Sequence, residues 1–249
     1  MRCIRCPTRK NGVETLARLF VLIGGLLVLV LTAALVVPYF VDWAGYRSSF
    51  EREASALLGR PVTVAGTASA RLLPFPSVTF SDVRVGDPGS APVMTIDKFS
   101  MDAELAPFLR GEILIFDMRL EKPTASVNID RNGVVDWAIR PQTSFGSTQV
   151  KLENVRITNG SVLVRDASTA TVRTVNDLNA TVSATKLSGP WKFDGTLLFN
   201  GERTSVSAST GQLKPDGSLN VHARIIPDGI PAVLETDGGV TLDKGALKY

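Results

Sequence analysis

The sequence predicts a mainly β protein tethered to a membrane by one N-terminal helix, with a short amphipathic helix between tether and sheet. Three observations carry this expectation. Residues 19–41 form an apolar run without a single charge. Residues 43–58 repeat apolar side chains at helical spacing. From Val62 almost to the C-terminus, apolar and polar residues alternate in short runs separated by turn signals.

The first run starts at Leu19 and ends at Val41. A helix rises about 1.5 Å per residue and a hydrocarbon core is about 30 Å thick, so about 20 residues span it. Leu19, Leu22, Leu26, Leu29, Val30 and Val37 are the expected lipid-facing residues, and the rings of Tyr39 and Trp43 suit the membrane–water interface. Arg2, Arg5, Arg9, Lys10 and Arg18 precede the run against Glu14 alone, which places the N-terminus in the cytoplasm and the bulk of the chain across the membrane. The run is too long for a signal peptide core, and Leu35-Val36-Val37-Pro38-Tyr39 is a poor cleavage site, so the anchor is expected to stay attached.

The chain has 249 residues and a pI near 9.0. Its charge is unevenly placed. Of 27 Lys and Arg, five precede the membrane run, leaving 22; of 24 Asp and Glu, one does, leaving 23. The basicity is therefore a topology signal, and no nucleic acid is expected as a partner. Cys3 and Cys6 form a C-x-x-C in the cytoplasmic tail, but a zinc site needs two more ligands, and the only histidine, His222, lies on the other side. The exported part has no cysteine, so disulfides do not hold it together.

In the second element, Trp43, Tyr46 or Arg47, Phe50, Ala54 and Leu57 form an apolar stripe, while Arg47, Glu51 and Arg52 occupy the polar face. Gly59 ends this helix and Pro61 cannot continue it. Strand patterns follow at Val62/Val64, Val78/Phe80, Val83/Val85, Phe99/Met101/Ala103/Leu105, Val127/Ile129, Val150/Leu152, Leu178 to Ala184 and Leu219 to Ile225. One apolar and one wet face is an antiparallel signature. Turns are expected at Asp87-Pro-Gly, Arg131-Asn-Gly, Asn159-Gly, Ser188-Gly-Pro, Asn200-Gly, Pro215-Asp-Gly and Asp237-Gly-Gly. Residues 106–111 interrupt the pattern as a tight helical turn or apolar loop, and 141–148 read as a connection. Val78 to Gly86 echoes Val150 to Thr158, and in each the apolar phase shifts, at Asp82 and at Asn154, as at a bulge.

About a dozen one-faced strands against one short helix leave two architectures open. The sheet packs on a second sheet as a sandwich, or it curls into an open groove covered by an apolar ligand. Candidate groove-lining residues are Phe80, Phe99, Met101, Leu105, Val127, Leu152, Leu178, Val182 and Val221. No enzyme or phosphate-binding motif occurs, and a nucleophile–histidine arrangement depends wholly on His222, which sits on the polar phase of its strand. No catalytic residue, cofactor or metal is expected; an envelope enzyme remains only as a remote alternative.

Several segments together resemble the AsmA family of Gram-negative envelope proteins. They are Pro38-Tyr-Phe-Val-Asp-Trp43, Tyr46-Arg-Ser-Ser-Phe-Glu51, Leu58-Gly-Arg-Pro-Val-Thr-Val-Ala-Gly66 and Leu73-Pro-Phe-Pro-Ser-Val-Thr-Phe-Ser-Asp-Val-Arg-Val-Gly86. Leu105 to Ile113, Leu120-Glu-Lys-Pro123, Asn132-Gly133 with Trp137, and Ile157 to Asp166 continue it, so the match spans about residues 15 to 185. The resemblance implies an inner-membrane protein with a periplasmic sheet, a role in outer-membrane biogenesis or phospholipid transport, and the groove rather than the sandwich. Its implied partners are phospholipid acyl chains and envelope assembly proteins. It names no catalytic residues.

The expected layout is a basic tail over 1–18, the anchor over 19–41, a first periplasmic segment over 42–140, the connection over 141–148 and continuing sheet over 149–249. Family members are usually longer, and this chain stops straight after a strand-like run. That implies either a fragment or an open sheet edge that serves a partner by strand addition, around Val240 and Leu242.

Overall fold

Long apolar residues favour a helix where nothing interrupts them, and α1 runs Asn11–Val36. The computed structural model describes residues 11–36, 44–71, 75–104, 113–132, 134–136, 150–186, 189–243 and 246–248. The basic tail before 11, Val37, Tyr39, Trp43, Leu105 and the segments expected at 106–111 and 141–148 lie outside them. Side chains of α1 are described from Arg18 to Ala33 and at Leu35 and Val36, and all are exposed. Leu22 and Leu29 are 70% and 65% exposed, so no described part of the fold covers them. Among the described residues no helix is long and apolar enough to cross a membrane.

The second helix, α2 (Ala44–Leu58), stops where Gly59 adopts a left-handed φ of 66° and its N–H donates to the Ser55 carbonyl at 2.9 Å. Its buried stripe is Phe50, Ala54 and Leu58; Leu57, expected inward, is 44% exposed. Strands β1 (Val62–Val64), β2 (Ala68–Arg71), β3 (Ser77–Val85), β4 (Met94–Ala103) and β5 (Ile113–Ile129) follow. After them come β6 (Val134–Asp136), β7 (Val150–Asp166), β8 (Thr171–Ala184) and β9 (Trp191–Phe199). The last are β10 (Glu202–Thr210), β11 (Ser218–Pro227), β12 (Leu234–Asp243) and β13 (Ala246–Lys248).

All thirteen strands belong to one sheet, so the sandwich does not form. Neighbours pair in the order β1-β3-β4-β5, and β7 through β12 continue in sequence as antiparallel hairpins. One pairing departs from the antiparallel expectation. β5 and β7 run parallel along their length, from Ile113↔Val150 to Ile129↔Asp166. The chain between them is long enough to return to the start of β5, as a parallel pair requires. The short strands β6 and β13 link the end of β12 back to the end of β5 through two- and three-residue pairings. Elsewhere the sheet is open. Along Leu234–Val240 no described strand pairs the outer edge of β12.

A crease crosses the sheet. Inward residues step by three rather than two at one level in four adjacent strands, Phe80 to Val83 in β3, Phe99 to Ile96 in β4, Leu120 to Pro123 in β5 and Ile157 to Gly160 in β7, and one pair further along in β8, Leu178 to Val175. In four of these strands the step holds a left-handed residue, namely Asp82, Lys122, Asn159 and Asp177, with φ between 47° and 53°. Aligned bulges bend every strand at one level while keeping the same face apolar. Side chains hold the backbone there. The Arg84 guanidinium donates to the Asp82 carboxylate at 2.7 and 2.9 Å. Asn159 N–H donates to Asn179 Oδ1 at 3.0 Å, and Asn179 Nδ2 donates to the Asp177 carbonyl at 2.9 Å. Asn159-Gly is therefore a bulge inside β7 and not a turn, and Asp237-Gly-Gly likewise lies within β12. The phase shift expected at Asn154 coincides with a register shift between Leu152 and Val155. Of the other expected turns, Asn200-Gly is a tight hairpin with φ of 52° and 84°. The β7–β8 turn is capped by Asp166, which accepts from the N–H and hydroxyl of Ser168 at 2.8 and 2.6 Å.

Two outcomes follow for the folded chain. A Cβ on Gly195 would meet the Ala180 Cβ and the Asn179 carbonyl, both at 2.6 Å, whereas one on Gly238 meets nothing within 4 Å. Gly195→Ala should lower unfolding stability by about 1–3 kcal/mol, while Gly238→Ala should stay within about 0.5 kcal/mol, both read by chemical denaturation. The hydrogen bonds from Ser168 and Thr169 hold the Asp166 carboxyl down at about 2, below its ordinary 3.8. Because its folded pKa is depressed, its contribution is complete above about pH 4 and lost as pH falls toward 2. Carboxyl chemical shifts should titrate with that midpoint, and Asp166→Asn should remove the dependence from the turn.

Candidate functional site

Paired positions share a face, so the register lists which side chains line up across the sheet. One row reads Phe80, Phe99, Leu120, Ile157, Ala180, Gly195, Val206, Ile225 and Leu234, each paired with the next. The neighbouring row reads Val78, Met101, Met118, Val155, Val182, Phe193, Ala208 and Ala223. A third joins Leu152, Ala184 and Trp191. One continuous apolar face therefore runs from β3 to β12.

Cover is unequal along it. Over β1, β3 and β4, α2 lies on the face. The Phe50 ring stacks on Phe80 at 4.1 Å and sits 5.5 Å from Phe99. Val62, Val64, Phe80, Val83, Val85, Ile96 and Phe99 form the buried core beneath. From β9 to β12 no described element covers the face, yet Trp191, Phe193, Val221, Ala223 and Ile225 are half-buried while Lys192, Asp194, Asn220, His222 and Arg224 are exposed. A flat single layer exposes both faces alike. The apolar face is thus the sheltered, inner side of a curled sheet.

The opposite face carries cross-strand ion pairs. Lys98 pairs with Glu121 at 2.9 Å and Arg224 with Glu235 at 3.4 Å. Arg119 bridges Asp102 and Asp117, both at 2.8 Å. His222 Nδ1 lies 2.8 Å from Asp237 Oδ1 on neighbouring strands, with both side chains well exposed, as the polar phase of its strand predicted. Among the described residues no group of His, Cys, Asp or Glu could hold a metal ion.

The expected lining residues fall in three sets. Phe99 and Phe80 lie under α2 and so are closed off, with Met101 packed against that core. Val182 and Val221 stand half-buried on the uncovered stretch, while Leu152 is buried at 8% exposure. Val127 and Leu178 are half-buried, Val127 beyond the crease and Leu178 opposite Gly160 at it. Ile157, Phe193 and Val206 are missing from the expected lining, and Ile225, on the expected apolar phase of its strand, is not assigned to it. Val206 sits in the Ser- and Thr-rich Thr204-Ser-Val-Ser-Ala, where the alternation was present but weak in volume.

The two edges also differ. The outward N–H groups of β1 are taken up by α2: Val62 N–H donates to Ser55 Oγ at 2.8 Å, and Val64 N–H donates to Glu51 Oε1 at 2.7 Å. Arg47 Nη2 adds a bond to the Gly66 carbonyl at 2.7 Å. Glu51 and Arg47, expected on a solvated face, therefore tie the helix to the sheet. The edge of β12 has no such cover among the described residues.

A single curled layer, sealed at one edge by a helix and apolar along its inner face, defines a class of open-sheet β proteins. Within that class the chain belongs to the AsmA family, which it matches over residues 14–216. Comparison with curated proteins and with solved structures returned no match.

Proposed function

We propose that the chain is a single-pass inner-membrane protein whose periplasmic sheet carries phospholipid acyl chains, in support of outer-membrane biogenesis or lipid transport. The observation that carries this is the apolar face from β9 to β12, half-buried over β9 and β11 and covered by no described element. Membership of a family generally associated with the envelope supports it. So does the uncharged apolar run over 19–41 of the sequence, which has the length of a membrane span. The basic residues before it set the N-terminus in the cytoplasm.

The mechanism is passive, with no bond made or broken. Moving a phospholipid chain into water costs about 0.8 kcal/mol for each CH₂. Against an apolar face that cost is removed, and the head group stays wet at the rim. The exchange between bilayer and sheet is then nearly balanced, and lipid moves down its own gradient.

A second use of the sheet is favoured by the contrast between its edges. An extended strand of an envelope assembly partner adds to β12 between Leu234 and Val240.

Gentle extraction followed by native mass spectrometry should show co-purifying phospholipid, and Ile225→Asp together with Val182→Asp should abolish it without unfolding the sheet. Fully lipid-free wild-type protein would sink the carrier proposal. For strand addition, photocrosslinkers at Thr236 and Val240 should capture a polypeptide that the same probe at Thr181, inside the sheet, does not.

A further inference from the structure

The apolar face divides at α2. The same row of residues is closed under α2, is lined by the small and buried Ala180 in its middle, and is open at the far end. Phe80 and Phe99 are 4% and 9% exposed beneath Phe50, whereas Leu234 at the far end is 55% exposed. Three polar ties, from Arg47, Glu51 and Ser55, fix α2 to the first strands. Arg60, just past its C-terminus and 6% exposed, pairs with Asp136 of β6. A helix tied at several points along its length is a wall and not a lid.

We infer that α2 is the fixed end wall of the lipid site: acyl chains occupy the face of β7 to β12 only, and Phe50 excludes them from Phe80 and Phe99. This rests on the carrier proposal and adds where the lipid lies. The dimensions fit. Strands lie about 4.8 Å apart, so the six from β7 to β12 offer roughly 24 Å. One acyl chain fills half of a hydrocarbon core about 30 Å thick, or roughly 15 Å. A single chain therefore lies along the open row without displacing α2. The segment adjoining α1 is the blocked one, so lipid enters the sheet past α2 and not beneath it.

The test uses the full chain in vesicles of phosphatidylethanolamine and phosphatidylglycerol, doped with a phosphatidylethanolamine bearing a diazirine at mid-chain. After illumination, peptide mass spectrometry should place crosslinks on Val182, Phe193 and Ile225 at yields about tenfold above those on Phe80 and Phe99, a difference of about 1.4 kcal/mol in occupancy. In Phe50→Ala the crosslinks should extend onto Phe80 and Phe99. Equal yields on both halves in the wild type overturn the inference, because α2 then moves aside. Should Phe50→Ala fail to fold, the wild-type map alone decides. Crosslinks absent from both halves remove the carrier proposal itself, an outcome distinct from equal labelling.

Discussion

An apolar sheet face has to be kept from water, and one fifteen-residue helix is what the described fold provides to cover nine adjacent strands. Most of the architecture follows from that shortage. Packing the helix centrally would leave both flanks bare. Instead α2 sits at the start of the sheet, where three phenylalanines stack, and the remaining face is sheltered by curling. The cost of the arrangement is a row of half-buried valines, alanines and isoleucines that a soluble core would bury outright. Their partial exposure is the feature on which the proposed acyl-chain binding rests.

The crease makes the curl compatible with a continuous lining. A strand bent without compensation turns its next side chain outward, so a bend in one strand breaks the row. Here the bends are aligned across β3, β4, β5, β7 and β8, and the three-residue step occurs in each. Left-handed backbone favours Asn, Asp and Gly, and three of the four left-handed crease residues are Asp or Asn. Lys122 is the exception, and the proline after it has no N–H to lose from the ladder. The freed backbone groups beside Asn159 and Asp177 are met by the Asn179 amide, so the bend is satisfied locally.

Edge chemistry adds a direction to the sheet. Edge strands offer unpaired N–H and C=O groups, and folded proteins usually blunt them. Ser55 and Glu51 do this for β1 by acting as a substitute neighbouring strand, which also fixes the helix over the core. Among the described residues nothing equivalent stands beside β12. The sheet is therefore capped at the β1 edge, and along Leu234–Val240 no described strand pairs the other.

Much of this was legible in the residues. The period-two alternation placed β1, β3, β4, β7, β8, β11 and the end of β5 but left β2, β6, β9, β10, β12 and β13 unmarked, the helical stripe gave α2 to within a residue, and the phase shift at Asp82 marks a bulge. The family, too, could be read from Pro38 to Gly86. Other features could not be. Asn159-Gly and Asp237-Gly-Gly carry the composition of turns, and only the neighbouring strands decide that they lie inside long ones. The parallel pairing of β5 with β7 depends on where a connection returns the chain, which no local pattern encodes. Above all, Phe80 and Val182 have the same alternating surroundings in sequence. One is shut beneath Phe50 and the other left open because helix placement is a long-range event. Local periodicity determines which face of each strand is apolar; the packing of α2 and the alignment of the bulges determine which part of that face no described element covers.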